Sequence, residues 1–151
     1  MSKVGIALIV DALERGGAER LLVSLANHLD PEKYKIHVVT TRTPGALAKE
    51  LFPHVKFHCL NRHHRWEILA LSHFAQIIKE QNIRIVHSHC HSSAYLVEFV
   101  RAFFHLECFH VMHDHLGPVE ASPWIRRLDR IFLKKVDLYF GVSEQLIQYA
   151  I

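Results

Sequence analysis

Three short runs hold most of the residues able to do chemistry. They are Gly16-Gly17-Ala18-Glu19, His87-Ser88-His89-Cys90-His91 and His113-Asp114-His115. Side chains at alternate positions of an extended chain point to one side, so His87, His89 and His91 share a face if the strand persists. A neutral imidazole can accept a proton, bind a sugar hydroxyl or ligate a metal ion. His113, Asp114 and His115 could complete a metal set with them, as in a metal-dependent hydrolase. Against this, three ligands in one short extended run strain tetrahedral geometry, and histidines that bond loop backbone or face solvent are the plainer reading. Gly16 and Gly17 let the backbone approach a ligand closely, and a helix starting there offers free N–H groups and a positive dipole end. A phosphate or a sugar hydroxyl suits such a place. The run is neither GxGxxG nor GxxxxGK[ST], so an ordinary glycine turn into a helix remains the alternative.

Two basic-aromatic stretches are candidates for contact with an anionic membrane surface. One holds Arg62, Arg65 and Trp66; the other holds Trp124, Arg126, Arg127 and Arg130 on a helix whose other side is apolar. The competing reading is a helix packed on a sheet with a solvated basic face. A non-catalytic, membrane-recruiting subunit is one function these stretches would allow.

The bulk properties narrow the class. The chain has 151 residues, one domain on the usual length prior, with half its residues hydrophobic and 22% charged. Its formal net charge is +3, too weak a bias to argue for nucleic acid. Its 14 histidines will raise that charge below about pH 6.5. Cys59, Cys90 and Cys108 are odd in number and widely spaced, which argues against a disulfide framework and suits a reducing compartment. The apolar run Val4 to Val10 soon meets Asp11 and Glu14, so it reads as a buried strand and not a signal peptide. No run approaches the ~18 apolar residues of a membrane span.

The elements that must position these residues alternate from end to end. Strands are expected at Val4–Val10, Ile36–Thr41, Val55–Leu60, Ile83–Val86, Cys108–Met112 and Leu138–Val142. Helical spacing appears over Ala18–Leu29, in a short turn through Phe52, over Ile68–Ile78, Ser92–His105 and Pro123–Lys135, and Ser143 caps a last start. Strands alternating with helices predict an α/β fold: a Rossmann-like, doubly wound parallel sheet in three layers with about six strands. In such sheets ligands bind beyond the carboxyl ends of the strands, and three polar clusters fall there: Asp11 through Arg20, His87 to His91 and His113 to His115. With the first and fourth strands adjacent at the switch point and the fifth beside the fourth, the runs should meet in one cleft.

Taken together, Gly16-Gly17-Ala18-Glu19-Arg20, Ile85-Val86-His87-Ser88-His89, Val111-Met112-His113-Asp114-His115 and Gly141-Val142-Ser143-Glu144 resemble the N-terminal domain of GT-B glycosyltransferases of family 4. The resemblance covers residues 1–151. It implies one half of a GT-B fold that binds the acceptor, facing a second domain that binds a nucleotide-sugar donor. It implies a metal-independent transfer that retains anomeric configuration, with no cofactor. Acceptors in this family are polysaccharide, lipopolysaccharide or glycolipid, and members work in the cytoplasm, often at the inner face of the cell membrane. By resemblance, Gly16 and Gly17 approach the donor phosphates and His113 contacts the transferred sugar as the catalytic histidine. Glu19, His87, His89, Asp114 and His115 fall in the implied substrate-binding loops, and Ser143 and Glu144 are structural capping. The donor domain, with its paired glutamates, is expected to lie outside these residues, which leaves this half inactive by itself.

Overall fold

The computed structural model describes residues 2–64, 67–115 and 123–144, the side chains of 123–126, 128 and 133 excepted. Among these residues six strands form one sheet: β1 (Val4–Ala12), β2 (Tyr34–Thr43), β3 (Lys56–Cys59), β4 (Ile83–His89), β5 (Phe109–Asp114) and β6 (Leu138–Gly141). Their order is β3-β2-β1-β4-β5-β6, and every neighbouring pair is parallel. This is the Rossmann-like arrangement expected from the alternation of patterns.

Among the described residues four α-helices lie between the strands: α1 (Gly17–His28), α2 (Ile68–Glu80), α3 (His91–Phe103) and α4 (Pro123–Phe132). Single 3₁₀ segments occupy Ala46–Glu50 and Leu133–Lys135. The central strand β1 is buried on both faces, which explains its unbroken apolar sequence. Ile6, Leu8 and Val10 pack under α1 with Leu22 and Ala26. Ala7 and Ile9 pack on the opposite face with Phe74 of α2 and Val97 of α3. The three layers are therefore α1, the sheet, and α2 with α3.

One turn fixes the loop that carries β1 into α1. Gly45 has φ of 75°, a left-handed conformation that suits glycine, and a Cβ there would strike the backbone of Leu13. Leu47 N donates to Leu13 O at 2.8 Å and Leu13 N donates to Pro44 O at 3.3 Å. The sequence shows Pro44-Gly45 only as punctuation; the structure makes it the buttress of the glycine loop.

Four strands run past the carboxyl ends of their apolar patterns: β1 to Ala12, β2 to Thr43, and the two that carry the histidine runs. β4 continues through His89 and β5 through Asp114. Polar side chains end a hydrophobic pattern without ending the ladder, because backbone hydrogen bonds do not depend on side-chain polarity. The additions decide where the histidines point. No helix among the described residues is long and apolar enough to cross a membrane.

Candidate functional site

The carboxyl ends of β1, β4 and β5 bring the three polar runs together. Ser92 Oγ, in the first turn of α3, donates to Asp11 Oδ2 near the end of β1 at 2.6 Å. Cys90 N donates to His113 O at 3.0 Å, tying the β4 run to the β5 run. His89 Nδ1 and His115 Nε2 are 3.0 Å apart.

Four imidazoles stack on the α1 side of this edge. His89 is registered with His113 across β4 and β5. Ring centroids are 4.6 Å apart for His87 and His89, 5.6 Å for His87 and His113, and 4.2 Å for His113 and His115. His89 is fully buried; the other three are half-buried. Burial disfavours the charged form and lowers all four pKa values, and the rings repel one another's charge. Burial takes His87 down to about 4, with His113 adding to the effect, and takes His89 lower still. Burial and then His115 lower His113, while Asp114 pulls it back up. Burial lowers His115 against the upward pull of Asp114 and Glu19. The stack is thus neutral at pH 7 and resists protonation, presenting ring lone pairs to hydrogen-bond donors.

The α1 amino terminus supplies the other side. Gly16 is its N-cap and makes no side-chain cap, so the first-turn N–H groups lack a side-chain partner there. Gly17 is exposed, and a Cβ built on it meets nothing within 4 Å. Gly16 differs, because its Cβ would meet the Glu19 carboxylate. Glu19 therefore folds back over the positive helix end, where an anion is favoured. Its charge also reaches His115 and Cys90.

Not every expected residue joins this site. His91 does not share a face with His87 and His89. Cys90 takes φ 69° and ψ 163°, which turns the chain into α3 and sends His91 to the opposite side of the sheet. There His91 Nε2 lies 3.0 Å from Asp114 Oδ2 and His91 Nδ1 lies 3.1 Å from Asp129 Oδ1 of α4. Tyr139 OH donates to Asp114 at 2.9 Å, and Tyr95 OH donates to Asp129. Asp114 is fully buried and braces β6 and α3. The single six-residue metal cluster imagined for a hydrolase is split by the sheet. Arg62 is also turned inward. Only 9% exposed, it lies 3.6 Å from Asp11, which withdraws it from any membrane surface. Arg127 and Arg130 are exposed. Arg65 and Trp66, and the side chains of Trp124 and Arg126, lie outside the described residues.

Two side-chain arrangements go beyond what the sequence shows. Asp11 accepts from Thr41 Oγ1 at 2.5 Å and from Ser92, and so joins the ends of β1, β2 and α3. A charged residue closing an apolar strand at the binding edge is the signal that marks it. The other is a chain of Ser88, His110 and Glu98. Ser88 Oγ is 2.8 Å from His110 Nε2, and His110 Nδ1 is 2.6 Å from Glu98 Oε1. The order copies a hydrolytic triad, but Ser88 and His110 are fully buried and Glu98 is 4% exposed. Glu98 also accepts from Arg101 at 2.6 Å, and Arg101 reaches Asp137 at 2.9 Å. A nucleophile that no substrate reaches is structural, and this chain ties α3 to β4, β5 and the start of β6.

The arrangement sets the α1 terminus, covered by the Glu19 carboxylate, beside a stack of neutral imidazoles. A family model described as Glycosyltransferase Family 4 matches residues 15–151. No curated protein matches the chain.

Proposed function

Because the chain belongs to Glycosyltransferase Family 4, the N-terminal domain family of GT-B glycosyltransferases, we propose that it is the acceptor-binding side of a retaining transferase that moves a sugar from a nucleotide-sugar donor to a glycan or lipid-linked acceptor. The observation that carries this reading is the meeting of the α1 terminus with the histidine stack across the β1–β4 switch point. In it, the Gly16-Gly17 backbone approaches the donor phosphates, and Gly17 has the open space for that. His113 stands where the transferred sugar lies and acts as the catalytic histidine. His87, His89 and His115 hold its ring in place. Glu19 accepts a sugar hydroxyl beside His115. No metal or cofactor takes part in the transfer.

One sheet edge gives a cleft with one wall. Transfer needs the reacting groups held together and water excluded, so a donor-binding domain must supply the other wall. The exposed Arg127, Arg130, Lys134 and Lys135 of α4 and the turn after it support peripheral attachment to an anionic, cytoplasmic membrane face, where lipid-linked acceptors sit.

The test is nucleotide release and product anomeric configuration across a panel of nucleotide-sugars. The chain alone should turn over none of them; joined to a donor-binding domain it should turn over one, with retention. In the joined enzyme His113→Ala should lower kcat by roughly 10²–10⁴. Turnover by the pure chain, or an unchanged kcat in the variant, overturns the assignment.

A further inference from the structure

We propose that His87, His89 and His113 form a binding site for a divalent transition-metal ion of the zinc class, held by three imidazole nitrogens. One nitrogen from each of the three lies within 4.8 Å of the other two. Two of the ligands stand at alternate positions of β4, and the third stands on β5 directly across from His89. Adjacent strands fix that spacing through the backbone ladder, so the set is built and not the chance meeting of flexible side chains.

The second observation is independent of the spacing. His89 is fully buried, and its Nδ1 is engaged with His115. Its Nε2, and the buried Nε2 of His87, have no hydrogen-bond partner among the described residues. Buried polar atoms are nearly always partnered, so two orphaned nitrogens in one three-residue cluster point to a ligand that takes lone pairs.

The donor set selects the ion. Imidazoles suit zinc, copper, iron and nickel, whereas magnesium and calcium need oxygen. Three histidines bind zinc at about 2.0–2.1 Å and leave a fourth position for water or substrate. Tetrahedral nitrogens at that radius are about 3.4 Å apart, so the rings must rotate inward by about an ångström. His115, against His89 Nδ1, is the outer partner that fixes the ring of a ligating histidine. His91 takes no part, because it lies beyond the sheet with Asp114 and Asp129.

An ion here occupies the imidazole assigned to the transferred sugar, and would therefore compete with donor binding. That consequence rests on the glycosyl-transfer reading; the metal binding does not.

The test uses the untagged chain and cobalt(II), read by the intense visible absorption of four-coordinate cobalt and competed with zinc. One equivalent should give that absorption. His87→Ala should weaken binding by roughly 100-fold or more, while His105→Ala, an exposed control, should leave it unchanged. If His87→Ala fails to fold, judged by circular dichroism, the half-buried His113→Ala replaces it with the same expectation. Absence of four-coordinate absorption at saturating cobalt, or absorption that persists in the folded variant, overturns the site. Sugar turnover is not read, so failure of the metal site and failure of the transferase reading are told apart.

Discussion

At the residue scale, Cys90 decides more than any catalytic candidate. Its φ of 69° and ψ of 163° fall in a region used almost only by glycine. Such a residue costs about 1–3 kcal/mol and persists when its surroundings demand it. Here the demand is a turn between β4 and α3 that leaves His89 on one face of the sheet and His91 on the other. The thiol has little chemistry to lose: burial raises its pKa to about 11, helped by Glu19, Asp114 and Asp11. Cys90→Gly should therefore relieve strain and stabilise the fold by about 1 kcal/mol, seen as a higher urea midpoint at unchanged slope. A lower midpoint would show that packing of the thiol outweighs the strain. Nothing in the pattern His-Ser-His-Cys-His reveals this conformation, because alternation assumes that extended backbone continues.

At the element scale, α1 combines a conventional buried face with an unconventional start. Leu22, Val23 and Ala26 anchor it on the sheet; the helical spacing in the sequence includes Leu22 and Ala26 but not Val23, and it includes Leu21, which is exposed. Its amino terminus has glycine where a capping side chain would serve stability better. The structure separates the two glycines: a side chain at Gly16 would displace Glu19, but one at Gly17 would enter open space. Gly17→Val should consequently leave folding stability within about 0.5 kcal/mol. In an enzyme completed by a donor domain, the same change should abolish most nucleotide release by blocking close approach of the phosphates. Normal turnover would detach Gly17 from the donor site, and a large loss of stability would show a packing role. The ends of β4 and β5 teach a related point. Their apolar patterns stop at Val86 and Met112, but the ladders continue, so parity along the strand separates His113 from Asp114.

At the scale of the whole molecule, the abundance of histidine becomes a statement about pH. Burial first, and neighbouring charge second, lowers His37 to about 4 and also lowers His58, with which it pairs at 3.1 Å. The four stacked rings at the sheet edge are lowered for the same reasons. Above the ordinary value of about 6.5 these groups are neutral whether the chain is folded or not, and they add no pH dependence. Below it the unfolded chain binds protons that the native state refuses, so stability falls as pH drops from about 6.5 toward 4. Melting temperature, measured with a chelator present, should be level above pH 7 and fall steeply below pH 6. A protein that grows more stable between pH 6.5 and 5 would contradict the neutral, buried state of these rings.

The sequence by itself determined the fold class and the neighbourhood of the site. Period-two and period-3.6 patterns follow from local backbone geometry, and the alternation of strand and helix leaves a parallel sheet as the workable arrangement. Parallel strands place all their carboxyl ends on one edge, so the glycine loop and both histidine runs had to lie near one another. Tertiary structure decided which members of each run face the cleft. His87, His89, His113 and His115 stay together, while His91 and Asp114 become braces for α4 and β6. Arg62 turns from a surface candidate into a partner of Asp11. The physical reason is common to all three: the face a side chain takes depends on a single dihedral, the parity of a strand's last residues, or a partner many residues away. None of these is written in local periodicity.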